Sequence, residues 1–149
     1  MSSPAAPQSP TARNSSHFGD ALWLGALALL LRGLVVFWAK DRFPPADDGS
    51  FYHVVAQRIA QGAGYTWLWP DGAVSYAAHY PVGYPALLGA AYKVFGARPV
   101  VGMAANALLG GLSAFAAQRA VASRGTRPQA LIAGLLIALH PGLVFYTPA

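Results

Sequence analysis

The sequence predicts an all-α integral membrane protein, and three observations carry that prediction. Of its 149 residues, 55% are apolar and only 10% are charged, whereas charged residues make up about a quarter of a soluble domain. The apolar residues gather in three long runs, and Gly and Pro are abundant, as they are in membrane helices. The chain has no Cys, which excludes disulfides and thiolate metal sites.

The N-terminal part of the chain divides into a tail and a first span. Residues 1–17 are rich in Ser, Pro and Ala without periodicity, which predicts a disordered, cytoplasmic tail. Residues 21–39 are apolar and close to the roughly 20 residues that cross about 30 Å of hydrocarbon. Arg32 lies inside this span, where a charge is costly. Either it contacts protein or substrate, or its side chain snorkels towards an interface.

The segment 40–98 is the most polar and aromatic part of the predicted membrane domain, which covers residues 18–149. It holds four of the five Asp residues and six of the seven Tyr residues, so we expect a loop outside the membrane. Trp69-Pro70-Asp71-Gly72 within it has the residues of a β-turn.

Two short juxtamembrane helices are predicted within this loop. The first covers 49–61, with Asp47 or Asp48 as its N-cap. The second covers 85–95, with Pro at its start and Gly96 at its end. Both are too short to span a bilayer.

Two further spans are predicted at 100–122 and 128–146, for a total of about three. Arg119, Arg124 and Arg127 lie at the connection between them. The positive-inside rule places that connection in the cytoplasm. The N-terminus is then cytoplasmic as well, and the loop 40–98 lies on the external face.

The net charge of +5 raises the question of nucleic acid. Nucleic-acid binders cluster their Lys and Arg residues on one face. Here the Arg residues are scattered singly and several lie at the ends of apolar runs, as membrane topology requires. We therefore predict no nucleic-acid partner.

Asp47 and Asp48 are the one place where two carboxylates are adjacent. Asp48 and Tyr52 are four residues apart and share a helix face. A carboxylate at a helix N-terminus is kept ionised, so Asp48 is suited to act as a general base towards a hydroxyl group. A simple helix cap is the alternative. A divalent metal fits the pair, but a pair alone is weak evidence, and neither metal nor cofactor is predicted.

The second polar cluster is the segment 79–85, His-Tyr-Pro-Val-Gly-Tyr-Pro. Its prolines predict a rigid, extended entry into the following helix. His79, Tyr80 and Tyr84 are candidates for holding a phosphate group at the membrane surface. The alternative is an aromatic belt that anchors the loop.

Several motifs together resemble a known family in their order and spacing. They are Asp-Asp-Gly-Ser-Phe-Tyr-His at 47–53, Ala-Gln-Arg-Ile-Ala-Gln-Gly-Ala-Gly-Tyr at 56–65, Tyr-Pro-Val-Gly-Tyr-Pro-Ala-Leu-Leu at 80–88, Val-Phe-Gly at 94–96 and Pro-Gly-Leu-Val-Phe-Tyr-Thr-Pro at 141–148. Over about residues 20–149 the chain resembles the N-terminal part of membrane glycosyltransferases of the GT-C type. The most similar branch contains the dolichyl-phosphate-mannose protein mannosyltransferases and the bacterial aminoarabinose transferases.

The resemblance implies a GT-C fold and a polyprenyl-phosphate sugar as donor, in a bacterial plasma membrane. It implies that Asp48 is the catalytic base, with Asp47 as the second carboxylate. Tyr52, His79, Tyr80, Tyr84 and Arg32 become candidate substrate-binding residues. The base would deprotonate an acceptor hydroxyl, which would displace the lipid phosphate with inversion. The acceptor stays open between protein, lipid and glycan.

Members of this family have many spans and several hundred residues. We therefore expect the sequence to be an N-terminal fragment that is inactive by itself. The alternative function is a non-catalytic membrane protein whose spans pack against partners and whose loop serves assembly.

Overall fold

A computed structural model of the chain describes residues 10–78 and 80–148, with side chains from His17 onward. The described part contains six helices and one antiparallel hairpin, which confirms the predominantly helical class. In chain order they are α1 Pro10–Ala39, α2 Asp47–Ala60, β1 Thr66–Leu68, β2 Val74–Tyr76, α3 Gly83–Phe95, α4 Pro99–Ala122, α5 Arg127–Leu139 and α6 Pro141–Phe145.

Two helices are long and apolar enough to cross a membrane. They are His17–Ala39 within α1 and Pro99–Ala122, which is α4. The second agrees with the predicted span 100–122 to within one residue. Only 28% of the most apolar window of each helix is buried inside the protein, so most of their surface is apolar and uncovered. This property indicates association with a membrane.

The first helix begins earlier than predicted. Residues 1–17 were expected to be disordered, but 10–17 belong to α1, while 1–9 lie outside the described residues. Pro10 suits the first turn of a helix because its missing N–H has no partner there. No Gly or Pro follows until Gly19, so nothing in the local sequence stops the helix before the apolar run.

The region of the third predicted span, 128–146, is divided between two helices. The chain is helical over α5, leaves the helix at His140 and turns into the short α6. Pro141 has no N–H to bond to the carbonyl of Ile137, four residues before it. The 13 residues of α5 extend about 20 Å, less than the roughly 30 Å of a hydrocarbon core.

Glycines bring α1, α4 and α5 into close contact. A Cβ atom added at Gly25 would lie 3.1 Å from the carbonyl oxygen of Gly111. One added at Gly134 of α5 would lie 2.6 Å from Leu24 of α1. Small residues at these positions allow the helix backbones to approach each other.

An ion pair determines which ends of these helices lie together. Arg127 at the start of α5 donates Nε–H and a second guanidinium N–H to the two carboxylate oxygens of Asp20, at 2.8 and 2.9 Å. The beginning of α1 therefore lies beside the α4–α5 connection. The loop after α1 and the segment after α5 are consequently at the opposite end of the molecule.

The loop is built from α2, the hairpin and α3. Ala56, Leu88 and Tyr92 form its buried cluster, and Gly89 lets α3 approach α2, since a Cβ there would lie 2.7 Å from Ile59. The α3 helix ends at Phe95, followed by Gly96 as predicted. The predicted Asp cap of α2 is wrong. Ala46 is the N-cap residue, without a side-chain bond, and both carboxylates lie in the first turn.

The hairpin is the departure from the all-α prediction. Its strands pair Trp67 with Ser75 and Leu68 with Val74. The predicted turn lies between them and is confirmed, because Trp69 accepts a hydrogen bond from Gly72 N at 2.9 Å. Gly72 has φ of 87°, a conformation that costs glycine little.

Candidate functional site

The two adjacent carboxylates lie in the wall of a groove of about 650 Å³. The groove is formed by the end of α1, the loop after it, the start of α2 and the segment after α5. Its other walls are mainly apolar. Its lining residues are Val35, Trp38, Phe43, Pro44, Ala46, Asp47, Asp48, Gly49, Phe145, Tyr146 and Pro148. Both carboxylates are exposed, so the groove has a charged region beside an aromatic and aliphatic one.

Tyr80 connects two motifs that are far apart in the sequence, Asp47-Asp48 and the segment 79–85. Its hydroxyl group donates to Oδ1 of Asp48 at 2.8 Å, across 32 residues of sequence. This hydrogen bond raises the pKa of Tyr80, because ionising the phenol would remove the donor and place a second negative charge beside the carboxylate. Within the described residues, Oδ2 of Asp48 makes no hydrogen bond. Asp48 is thus oriented through one oxygen, with the other available.

Aromatic rings hold Tyr80 in place. Its ring centroid lies 4.8 Å from that of Phe51 and 5.6 Å from that of Tyr52. Its backbone carbonyl accepts a hydrogen bond from the Tyr65 hydroxyl. Such ring pairs each add a fraction of a kcal/mol or somewhat more beyond burial. Tyr52 is thus linked to Asp48 through Tyr80, which contacts the Tyr52 ring and donates a hydrogen bond to Asp48.

Tyr84 points to a different part of the molecule from Tyr80. Its hydroxyl donates to Oδ1 of Asn106 on α4 at 2.7 Å, and Nδ2 of Asn106 donates to the Thr147 carbonyl at 3.1 Å. Burial raises the pKa of Tyr84. Tyr84 therefore ties the loop to α4 and to the segment after α6, and it is not among the residues that line the groove.

His53 lies in the wall of a separate small cavity of about 30 Å³. Its Nδ1 is 2.8 Å from the Tyr92 hydroxyl and its Nε2 is 2.9 Å from Nε2 of Gln57. An amide nitrogen can only donate, so Nδ1 carries the proton in this arrangement. Burial lowers the pKa of His53, which favours the neutral ring at pH 7. His53 and Gln57 thus bond to each other, and His53 also bonds to Tyr92 of α3.

Asp47 has an unusual backbone. Its φ is 47°, and it is the only non-glycine residue with positive φ in the described part of the chain. Asp tolerates the left-handed region better than most residues. This conformation turns the chain from the loop into α2 and places Asp47 and Asp48 on the same groove.

Arg32 is used by the protein backbone. It is 2% exposed, so the snorkelling alternative is wrong. Its guanidinium donates to the carbonyls of Ile137 at 3.0 Å and Ala138 at 3.3 Å. The first of these is the carbonyl that Pro141 leaves without a helical partner. Arg32 thus caps the end of α5, and it is not among the residues that line the groove.

The remaining predicted site residue, His79, lies outside the described residues. In the described part of the chain, no group of three or more His, Asp, Glu or Cys side chains is placed to hold a metal ion. Sequence reasoning overlooked Tyr65, Asn106 and Phe51 as supports of the site. Asn106 carried a usable signal, since an amide inside an apolar helix needs a hydrogen-bond partner.

No family model, curated protein or solved structure matches this chain. The assignment of a function therefore depends on the geometry around Asp48.

Proposed function

We propose that this chain forms part of a membrane glycosyltransferase that transfers a sugar from a polyprenyl-phosphate donor to an acceptor hydroxyl, with Asp48 as the general base. One observation carries the proposal. Asp48 is held through Oδ1 by Tyr80 and lies in a groove whose other walls are mainly apolar. A lipid-linked sugar has the same division, with an apolar chain joined to a polar head.

The reaction is a single displacement. Oδ2 of Asp48 accepts the proton of the acceptor hydroxyl. The acceptor oxygen then attacks the anomeric carbon of the sugar. The bond between the anomeric carbon and the phosphate oxygen breaks on the opposite face, and the lipid phosphate leaves with its electron pair. The product is inverted at the anomeric carbon. Tyr80 orients Asp48 and is a positioning residue.

The proposed setting is a bacterial plasma membrane with the N-terminus in the cytoplasm. The α4–α5 connection carries Arg124 beside Arg119 and Arg127, and the positive-inside rule assigns such a connection to the cytoplasm. The groove is at the opposite end of the helices and would open to the external face. In this proposal the helices correspond to the first part of a GT-C fold.

The test is Asp48→Asn in native membranes that carry the full gene product, with radiolabelled polyprenyl-phosphate sugars as donors. The amide cannot accept the proton, so we expect transfer to fall by at least 100-fold, the lower end of what general base catalysis supplies. Asp41→Asn is the matched control. Asp41 is an exposed carboxylate of the same loop, paired with Lys40, and it does not line the groove. Transfer retained by Asp48→Asn contradicts the proposal.

A second function is favoured by the uncovered apolar surfaces of α1 and α4. Exposed side chains such as Leu30, Leu34 and Leu112 offer surface for packing against partner helices. A non-catalytic packing or assembly protein would use these surfaces and would not depend on the carboxylates. In that case Asp48→Asn and Asp41→Asn leave function unchanged, while substitutions on these helix faces impair it.

A further inference from the structure

A second groove, of about 340 Å³, lies on the hairpin. It is lined by Phe51, Trp67, Trp69, Ser75, Tyr76 and Ala77. We call it the tryptophan groove. Its volume is at the lower end of the roughly 300–1,000 Å³ of small-molecule sites, which suits a single ring.

The tryptophan groove is rigidly built. The Trp67 ring stacks on Phe51 of α2, with centroids 5.2 Å apart and planes 19° apart. The Trp69 ring meets Trp67 at 82°, so the two indoles form a corner. Arg58 of α2 donates to the Thr66 hydroxyl at 2.7 Å and fastens the hairpin to the helix. A preformed groove of this kind loses little entropy when a ligand binds.

The chemistry of the lining favours a neutral ligand with one apolar face and hydroxyl groups. None of the described lining residues is charged, so a phosphate or carboxylate would find no counter-ion there. The Ser75 hydroxyl accepts from Trp69 Nε1 at 2.9 Å, which leaves its own hydrogen to donate. A sugar ring matches these features, because its C–H face stacks on the negative face of an aromatic ring and its hydroxyls bond at the rim.

A lipid surface is the competing ligand for exposed Trp and Tyr residues. Successive residues of a strand point to opposite faces, and the register pairs Leu68 with Val74 on one face and Trp67 with Ser75 on the other. The exposed aliphatic side chains therefore lie on the face away from the Trp67–Ser75 pair. That division favours a ligand other than lipid for the tryptophan groove.

The tryptophan groove is connected to the candidate active site. Phe51 stacks on Trp67 on one side and contacts Tyr80 on the other, and Tyr80 donates to Asp48. One ring contact, between Phe51 and Tyr80, and one hydrogen bond, from Tyr80 to Asp48, thus separate the lining of the tryptophan groove from the carboxylate. To present a hydroxyl to Asp48, a ligand held in the groove has to pass Phe51 and Tyr80, which a second sugar unit would allow.

We infer that the tryptophan groove binds a neutral sugar unit of the acceptor, so that the acceptor is an oligosaccharide whose next unit reaches Asp48. The role as acceptor and the further unit that reaches Asp48 rest on the proposed function, whereas binding of a neutral sugar unit in the tryptophan groove does not.

The test is saturation-transfer NMR on neutral trisaccharides (maltotriose, cellotriose and mannotriose) added to the purified chain in phosphatidylcholine nanodiscs, without donor. We expect saturable binding of at least one trisaccharide and weaker binding of its monosaccharide. Trp69→Ala should weaken that binding about tenfold, since one aromatic contact is worth about that factor, and Trp69→Phe should restore part of it. Trp23→Ala is the matched control, because Trp23 is 46% exposed and Trp69 51%, but Trp23 lies on α1.

Three results would overturn the inference. They are no saturable binding by any trisaccharide, binding that Trp69→Ala leaves unchanged, and quenching of Trp67 and Trp69 by brominated phosphatidylcholine. The last result would identify the hairpin as a lipid anchor.

The failure of this inference is distinguishable from failure of the proposed function. Asp48→Asn should bind the trisaccharide as the wild type does. Trisaccharide binding together with transfer that Asp48→Asn retains in native membranes refutes the glycosyltransferase proposal and keeps the sugar site. Transfer that depends on Asp48, without binding in the tryptophan groove, refutes the sugar site alone.

Discussion

Two regions of the molecule are stabilised in different ways. The first consists of the helices α1, α4 and α5, and the second is the loop that contains α2, the hairpin and α3. We call the first the helical part and the second the loop part. In the helical part, the helices approach each other closely because glycine has no side chain, as where Gly25 faces Gly111. In the loop part, rings and hydroxyl groups make the contacts, as where Tyr80 meets Asp48.

The difference teaches where each part is sensitive. A packed helix contact has no free volume, so an added methyl group displaces its neighbours. The loop part distributes its stability over individually modest ring contacts and hydrogen bonds. Such a region can carry a functional site, because changing one group alters local order before it alters the fold.

The largest expected effect belongs to Gly110→Ala in the helical part. A Cβ atom at this position would overlap Nε, Cδ and Cζ of Arg32. The guanidinium would then leave the Ile137 and Ala138 carbonyls, which it caps. We expect a loss of about 3 kcal/mol in the free energy of unfolding, measured by denaturant titration in mixed micelles.

Two companion variants make that experiment decisive. Gly33→Ala is the control, since nothing lies within 4 Å of a Cβ at Gly33 and alanine stabilises a helix by up to about 1 kcal/mol relative to glycine. In an Arg32→Ala background, Gly110→Ala should cost less than about 1 kcal/mol, because the clashing side chain is gone. Equal costs in both backgrounds would show that Arg32 does not occupy the space beside Gly110.

The second effect lies where the two parts meet. The Tyr92 hydroxyl bonds to His53 and packs beside Gly102 of α4, and burial raises the pKa of Tyr92 to about 12. Because the folded pKa exceeds the unfolded value of about 10, the protonated phenol stabilises the fold fully below pH 10. That contribution, about 2 kcal/mol, is lost as the pH rises towards 12.

Tyr92→Phe cannot ionise, so the test compares its unfolding free energy with that of the wild type at pH 8 and pH 11.5. The wild type should lose the larger amount. Tyr76→Phe is the control, since Tyr76 is 86% exposed and should give the wild-type pH dependence. Parallel pH dependences of wild type and Tyr92→Phe would contradict the burial of this phenol.

Short-range sequence features predicted one long helix, one helix end and one turn of the fold. The bounds of α4, the stop at Gly96 and the turn that ends at Gly72 follow from hydrophobic length, a glycine stop and turn residues. The end of α5 at His140 was not predicted, because a sequence pattern does not reveal that Arg32 donates hydrogen bonds to the carbonyls of Ile137 and Ala138 and stabilises the helix end there. The partners of Arg32 are backbone carbonyls 105 and 106 residues away. Every residue has a backbone carbonyl, so no residue type in the sequence identifies these two.

The candidate site was predicted in pieces. Asp48 and Tyr80 were each singled out from composition and motif, but their hydrogen bond depends on the hairpin that returns the chain to α2. The strands of that hairpin have three residues each, too few for an alternating pattern to be recognised. The left-handed backbone of Asp47 is likewise a consequence of how the loop meets the groove.

The smallest effect concerns Asp47 in the loop part, where backbone and charge can be separated. At φ of 47°, a β-branched side chain is strained, so Asp47→Val should cost about 1 kcal/mol of stability. Asn tolerates the same conformation, so Asp47→Asn should be neutral. The control Ala46→Val should also be neutral, since φ there is −129°.

The same variants decide what Asp47 contributes to transfer. If the carboxylate itself takes part, Asp47→Asn loses activity while its stability is unchanged. If Asp47 acts through its backbone, by directing Asp48 into the groove, Asp47→Asn keeps activity and Asp47→Val lowers it. If all of these variants keep both their stability and their transfer activity, the turn at Asp47 does not position the catalytic base. The loop part and the helical part would then differ only in how they are stabilised.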